Sequence, residues 1–141
     1  MTEEEYIKER LDDQIKWYSK KATKNKLLNH WFKVLIIIFS ATIPFIVGID
    51  FIETLKNIIL GGIGVIITIL SGLSGLLKFQ EKWIEYRTTS ETLKHEKYLF
   101  QAKAIPYSEE KESYKLLVTR IEDMISREHS MWGQYINNKN K

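Results

Sequence analysis

Cysteine is absent from this 141-residue chain. Its absence excludes disulfides, thiol nucleophiles and cysteine metal sites, and suits a chain whose bulk faces a reducing cytosol. Proline is scarce, with only Pro44 and Pro106, and no stretch alternates polar with apolar residues over the length of a strand. Little therefore interrupts helix, and an all-α fold is expected. The histidines His30, His95 and His129 lie far apart, and His95-Glu96 lacks the second histidine of a zincin because Leu99 stands at that spacing. Gly62-Ile63-Gly64 lacks the third glycine of a dinucleotide loop, and Gly72-Leu73-Ser74-Gly75 lacks the spacing of a nucleophile elbow. Neither an enzyme nor a cofactor or metal is expected. The net charge of +3 is mild and does not point to nucleic acid.

What the chain does have is a run from Ile58 to Leu77 without one ionisable side chain, in a sequence that is 28% charged. At about 1.5 Å per helical residue that run reaches about 30 Å, the thickness of a bilayer's hydrocarbon core. A weaker run, Val34 to Ile49, precedes it and becomes long enough when extended back through Leu27, Leu28, Trp31 and Phe32, with Lys33 snorkelling to the headgroups. The expectation is a single 1–141 domain built on a membrane hairpin, with a cytoplasmic helix over 1–33, spans over 34–52 and 58–77, and cytoplasmic helices over 78–141. The polar stretch Asp50 to Asn57 makes the turn. The competing reading is a soluble domain with two buried core helices, which the mean hydropathy of −0.24 permits. Against it, a soluble core helix keeps one polar face, whereas Ile58 to Leu77 has only small Gly, Ser and Thr to offer.

Lysine and arginine number eight in residues 1–33, one (Lys56) in the turn and twelve in 78–141. Positive residues stay in the cytoplasm, so both termini are expected there, with the short turn outside. Charged residues precede the first apolar run, so insertion is expected to use the hairpin itself rather than a secretory signal. Lys20, Lys21, Lys24, Lys26 and Lys33 form a block close to the inner leaflet, with no acid between Gln14 and Lys33, and should attract anionic lipid headgroups.

Three cytoplasmic helices are expected. The first, from about Glu3 to His30 and able to join the first span directly, carries Ile7, Leu11, Ile15, Tyr18, Ala22 and Asn25 at helical steps. The second runs from Lys78 to about Ala104, with Phe79, Trp83, Tyr86, Leu93 and Phe100 on one heptad seam and Ser90 and Lys97 filling the missing places. Pro106 and Tyr107 end it. The third opens at Ser108, where a capping hydroxyl and Glu109 and Glu110 suit the positive end of the helix dipole. Tyr114, Leu117, Val118, Ile121, Ile125 and Trp132 supply its stripe, and its tail is expected to fray from Asn137. The aromatics are assigned to core packing. Glu128 falls on the same stripe and needs a partner, with Arg87 or His129 as candidates for a buried ion pair.

Gly61, Gly64, Thr68, Ser71 and Gly75 follow steps of three and four, so one seam of the second span is entirely small, and Gly72 and Ser74 broaden it. Such a seam lets helix backbones approach closely. Two occupants are open, singly or together on different edges of the helix: the first span within one hairpin, and copies of the same helix around a central path. Pro44 removes a backbone hydrogen bond and bends the first span, with Ser40 and Thr42 near enough to help satisfy freed carbonyls. Asp50 and Glu53 would ring an outer mouth, with Lys56 close by.

The stretches Arg10 to Lys26 (RLDDQIKWYSKKATKNK), Ile43-Pro44-Phe45 and above all Lys78 to Tyr107 (KFQEKWIEYRTTSETLKHEKYLFQAKAIPY), with Glu128 and Trp132 near the end, resemble the SLATT family of bacterial two-transmembrane domains. The resemblance covers nearly the whole chain. It implies a multi-pass protein of the bacterial inner (cell) membrane, an effector of bacterial conflict systems that assembles with itself into pores and is linked to nucleotide-sensing or nucleotide-making partners. Two functions compete: a homo-oligomeric channel or pore, and a non-conducting anchor whose cytoplasmic helices bind a sensor protein or nucleotide.

Overall fold

The computed structural model describes residues 1–109 and 111–139; Glu110 and the Trp132 side chain, both named above, lie outside the described residues. Among the described residues the chain is helical without a strand. Helix α1 (Glu3–Glu5) leads through a π turn (Tyr6–Leu11) into α2 (Asp12–Val47), and α3 (Glu53–Leu77), α4 (Phe79–Gln101) and α5 (Ser113–Lys139) follow. The N-terminal helix therefore does join the first apolar run directly. It opens on a capping box: the Glu5 backbone N–H donates to the Thr2 hydroxyl at 3.3 Å while the Thr2 N–H donates to the Glu5 carboxylate at 2.9 Å.

The chain divides into two compact units, Met1–Lys20 with Tyr86–Lys141, and Lys21–Glu85. The first unit holds the core. Leu11, Leu93, Leu117 and Ile121 are wholly buried there, with Tyr6, Ile15, Tyr18, Phe100, Tyr107 and Ile125 around them. Each such aliphatic side chain contributes about 1.5–3 kcal/mol on leaving water. Much of each expected seam is buried, while Ile7, Trp83, Tyr86, Tyr114 and Val118 are only partly covered, and Tyr6 and Tyr107 join the core from outside the expected seams. Tyr6 and Leu11 are five residues apart yet share the core, because the π turn widens the helix by a residue and returns both to one face. Ser90 keeps the seam of α4 narrow, and its hydroxyl donates to the Ile15 carbonyl at 3.3 Å, so its burial leaves no orphan donor.

Helix α4 stops at Gln101, not Ala104. The Ala104 N–H reaches the Leu99 carbonyl at 3.0 Å and the Lys103 N–H that of Phe100 at 3.1 Å, while Lys103 takes a left-handed φ of 51°. This double closure ends the helix before Pro106 can. Helix α5 opens at Ser113, so Ser108 does not cap it. Tyr107 is buried and donates its hydroxyl to Glu96, which holds the connection against α4 and delays the next helix until Glu112, whose carbonyl takes the first bond from the Leu116 N–H. At its other end α5 stays helical through Asn137 to Lys139.

In the second unit α2 and α3 form the hairpin. Helix α2 runs on through Pro44 and ends at Val47, earlier than the expected span end at 52, and α3 begins at Glu53, five residues before Ile58. The turn is thus 48–52. Lys56 closes it: its ammonium donates to the Val47 carbonyl at 2.8 Å and the Ile49 carbonyl at 3.2 Å, capping the last carbonyls of α2. Lys78, between α3 and α4, is left-handed with φ 47°.

Candidate functional site

Helix α3 carries three kinds of surface. Leu60, Ile63, Ile67, Leu70 and Ser74 are partly covered at helical steps, as are Leu28, Phe32, Ile36, Phe39, Ile43 and Ile46 of α2, so these faces make the hairpin seam. Ile58, Val65, Ile69 and Leu76 stand open on another side, between 55% and 67% exposed. The small residues form the third. A methyl group added to Gly61, Gly64, Gly72 or Gly75 would meet nothing within 4 Å, and Thr68 and Ser71 are exposed. The first span therefore leaves the Gly61, Gly72 and Gly75 side of the seam open. At its edge Gly64 and Ser74 are partly covered. The Thr68 hydroxyl donates to the Gly64 carbonyl of its own helix at 2.8 Å, so it carries its own partner into an apolar setting.

The most apolar stretch of the helical run containing α2 has none of its residues buried, and that of the run containing α3 has 6%. Core helices of a soluble protein would be mostly covered. Two helices are thus long and apolar enough to cross a membrane, and their apolar surface is open. At one end of the hairpin Asp50 and Glu53 are exposed, while Lys56 is occupied with carbonyls. Pro44 lies one turn from the end of α2, where the Gly48 N–H returns to its carbonyl at 3.2 Å; Thr42 donates to the Phe39 carbonyl at 2.7 Å.

The lysine block is split between faces of α2. Lys20 and Lys24 are exposed and Lys21 is half-buried. Lys26 sits over the Trp83 ring at 5.6 Å, and Lys33 donates to the Gln80 side-chain oxygen at 3.3 Å. Phe32 and Phe79 meet between them with ring centres 5.2 Å apart.

In the first unit, paired charges tie the three helices together. Glu96, nearly buried on α4, accepts from Arg120 of α5 at 2.8 and 3.1 Å and from Tyr107. Burial by itself would raise the Glu96 carboxyl, but the hydrogen bonds from Arg120 and Tyr107 outweigh it and hold the group below its ordinary value. Glu122 of α5 accepts from Arg10 at 3.1 Å on both oxygens and from Tyr6 at 3.0 Å; the Arg10 bonds, against burial, hold it low as well. Lys97 reaches Asp12 at 2.5 Å. Burial, then the neighbouring carboxylate, pushes the phenols of Tyr6, Tyr18 and Tyr107 well up.

Arg87 and Glu128, expected as a buried pair, are found with other neighbours. Arg87 bridges to Glu91 one turn along α4 at 3.3 Å, both half exposed, whereas the buried oxygens of Glu128 stand beside the Tyr18 hydroxyl. The Glu96 and Glu122 clusters went unnoticed in the sequence; the signal was Glu96-Lys97, a charged pair interrupting the apolar seam between Leu93 and Phe100. An open groove on α4, lined by Arg87, Thr88, Glu91, Thr92, Lys94, His95 and Tyr98, has its cations matched internally, since Glu91 also takes Lys94 at 3.2 Å.

Residues 13–115 match a family described as a protein of unknown function, DUF4231. The chain belongs to this family. The DUF4231 match takes in the hairpin, α4 and the first residues of α5. No curated protein and no solved structure matches the chain.

Proposed function

We propose that this protein is a homo-oligomeric integral membrane channel or pore, with both termini cytoplasmic, in the inner membrane of a bacterium. The observation that carries the proposal is the small face of α3, Gly61, Thr68, Ser71, Gly72 and Gly75, which its own hairpin leaves open. A single two-helix hairpin cannot enclose a path. Several copies, meeting along a face where backbones approach closely, can surround one lined by glycine and hydroxyl groups. Asp50 and Glu53, with Lys56 drawn back onto the turn, leave the outer mouth acidic and favour cations. The resemblance to the SLATT family adds an effector role in bacterial defence, triggered through a sensor protein or nucleotide at the cytoplasmic helices.

The test is ion flux from liposomes containing the purified protein, with subunit number measured by mass photometry on the same preparation. Flux from a discrete oligomer supports the pore, and Thr68→Leu or Ser71→Leu should then block it; unchanged flux in both variants overturns the lining. The second reading, a non-conducting anchor, draws on the open α4 groove, which offers Thr88, Thr92, His95 and Tyr98 to a partner. A silent monomer in detergent would favour it.

A further inference from the structure

We propose that the cytoplasmic end of the hairpin is a collar that binds anionic phospholipid headgroups, built from Lys26 and Lys33 of α2 together with Lys78 and Lys82 of the α3–α4 junction. The proposal rests on the membrane reading above. Two helices converge here: Phe32 meets Phe79, Lys33 reaches Gln80, and Lys26 lies over Trp83. Lys78 and Lys82 bracket the buried Phe79 in sequence and are themselves half-buried. Lysines distant in sequence are thereby gathered within about two helical turns at one end of the hairpin.

The partners of the two α2 lysines decide their role. Lys26 rests on an aromatic ring and Lys33 on an amide oxygen, both neutral, so each is held in place while its charge stays unmatched by a carboxylate among the described residues. The cations packed between helices of the first unit differ: Lys97 has Asp12, Arg10 has Glu122, Arg120 has Glu96. The level is also the apolar boundary. Trp31 is 59% exposed beside Lys33, and Leu76, 67% exposed, lies two residues before Lys78. Amphipathic aromatic rings settle where acyl chains meet headgroups, which puts the ammonium groups at phosphate depth. Glu81, the acid nearest Lys78 in sequence, is largely exposed and bridges to it at 3.6 Å, so it is Lys26 and Lys33 that supply the positive charge fitting an anionic headgroup rather than a zwitterionic one.

The experiment uses the full chain in bilayers, with Trp17→Phe and Trp132→Phe so that Trp31 and Trp83 report. Fluorescence quenching by brominated phosphatidylglycerol is compared with quenching by brominated phosphatidylcholine at equal mole fraction. The expected result is preferential quenching by the anionic lipid, reduced about tenfold in relative affinity by Lys26→Gln with Lys33→Gln and weakened by added salt. Equal quenching by both lipids would overturn the collar while leaving the membrane reading intact. Quenching by neither would overturn the membrane reading and the collar with it.

Discussion

Glu96 is the residue on which the first unit is most sharply balanced. Its side chain is only 5% exposed, and it is kept ionised by Arg120, which is itself 41% exposed and remains solvated when unpaired. Glu96→Gln keeps the shape and loses the charge, so it should cost about 1–2 kcal/mol of stability. The same geometry fixes a pH dependence. Glu96 and Glu122 both lie below their ordinary values when folded, so their contribution is fully present above the ordinary carboxylate range and is lost as pH falls through the lowered folded values. Thermal unfolding followed from neutral pH into acid should therefore show declining stability, with a shallower decline in Glu96→Gln. An identical acid limb in the two proteins would remove Glu96 from the account.

At the scale of the helix, α3 separates its contacts by face: one side seals the hairpin, one is bulky and apolar, one is small. Because a side chain at Gly61 would enter open space, Gly61→Leu should leave helix content and thermal stability nearly unchanged while lowering the subunit number seen by mass photometry. Loss of helix content would mean that the glycine serves the hairpin instead. The N-terminal helix illustrates the opposite demand. Its π turn lets Tyr6 donate to Glu122 while Leu11 enters the core, and a regular helix would turn one of the two away.

On the scale of the whole molecule, the first unit joins the two ends of the chain, so its core exists only when residues 1–20 and 86–141 meet. Deleting residues 1–11 removes Tyr6, Leu11 and Arg10 at once. Losses of about 2–5 kcal/mol for a buried leucine and more for the rest exceed what a marginally stable unit can absorb. Circular dichroism should then lose the cooperative transition of that unit, while carbonate extraction still finds the chain with membranes. Retention of the transition would mean that α4 and α5 suffice.

The sequence by itself determined the helices, the faces they bury and the two apolar runs, because helical periodicity and the length of an apolar stretch are properties of a local segment. Ile15, Tyr18, Ser90, Leu93 and Ile121 stood on their seams before any partner was known. Local cues erred where an end depended on a distant contact, as at Ser113, displaced from Ser108 by the burial of Tyr107 against Glu96. Only the tertiary structure decided which charges pair. Arg87 chose Glu91 on its own helix, and Glu96 found Arg120 on another, because pairing depends on the rotation and register of whole helices, to which a single helix's pattern is blind. The open glycine face is a decision of the same kind: its spacing was legible, but its vacancy follows from which side of α3 the first span covers.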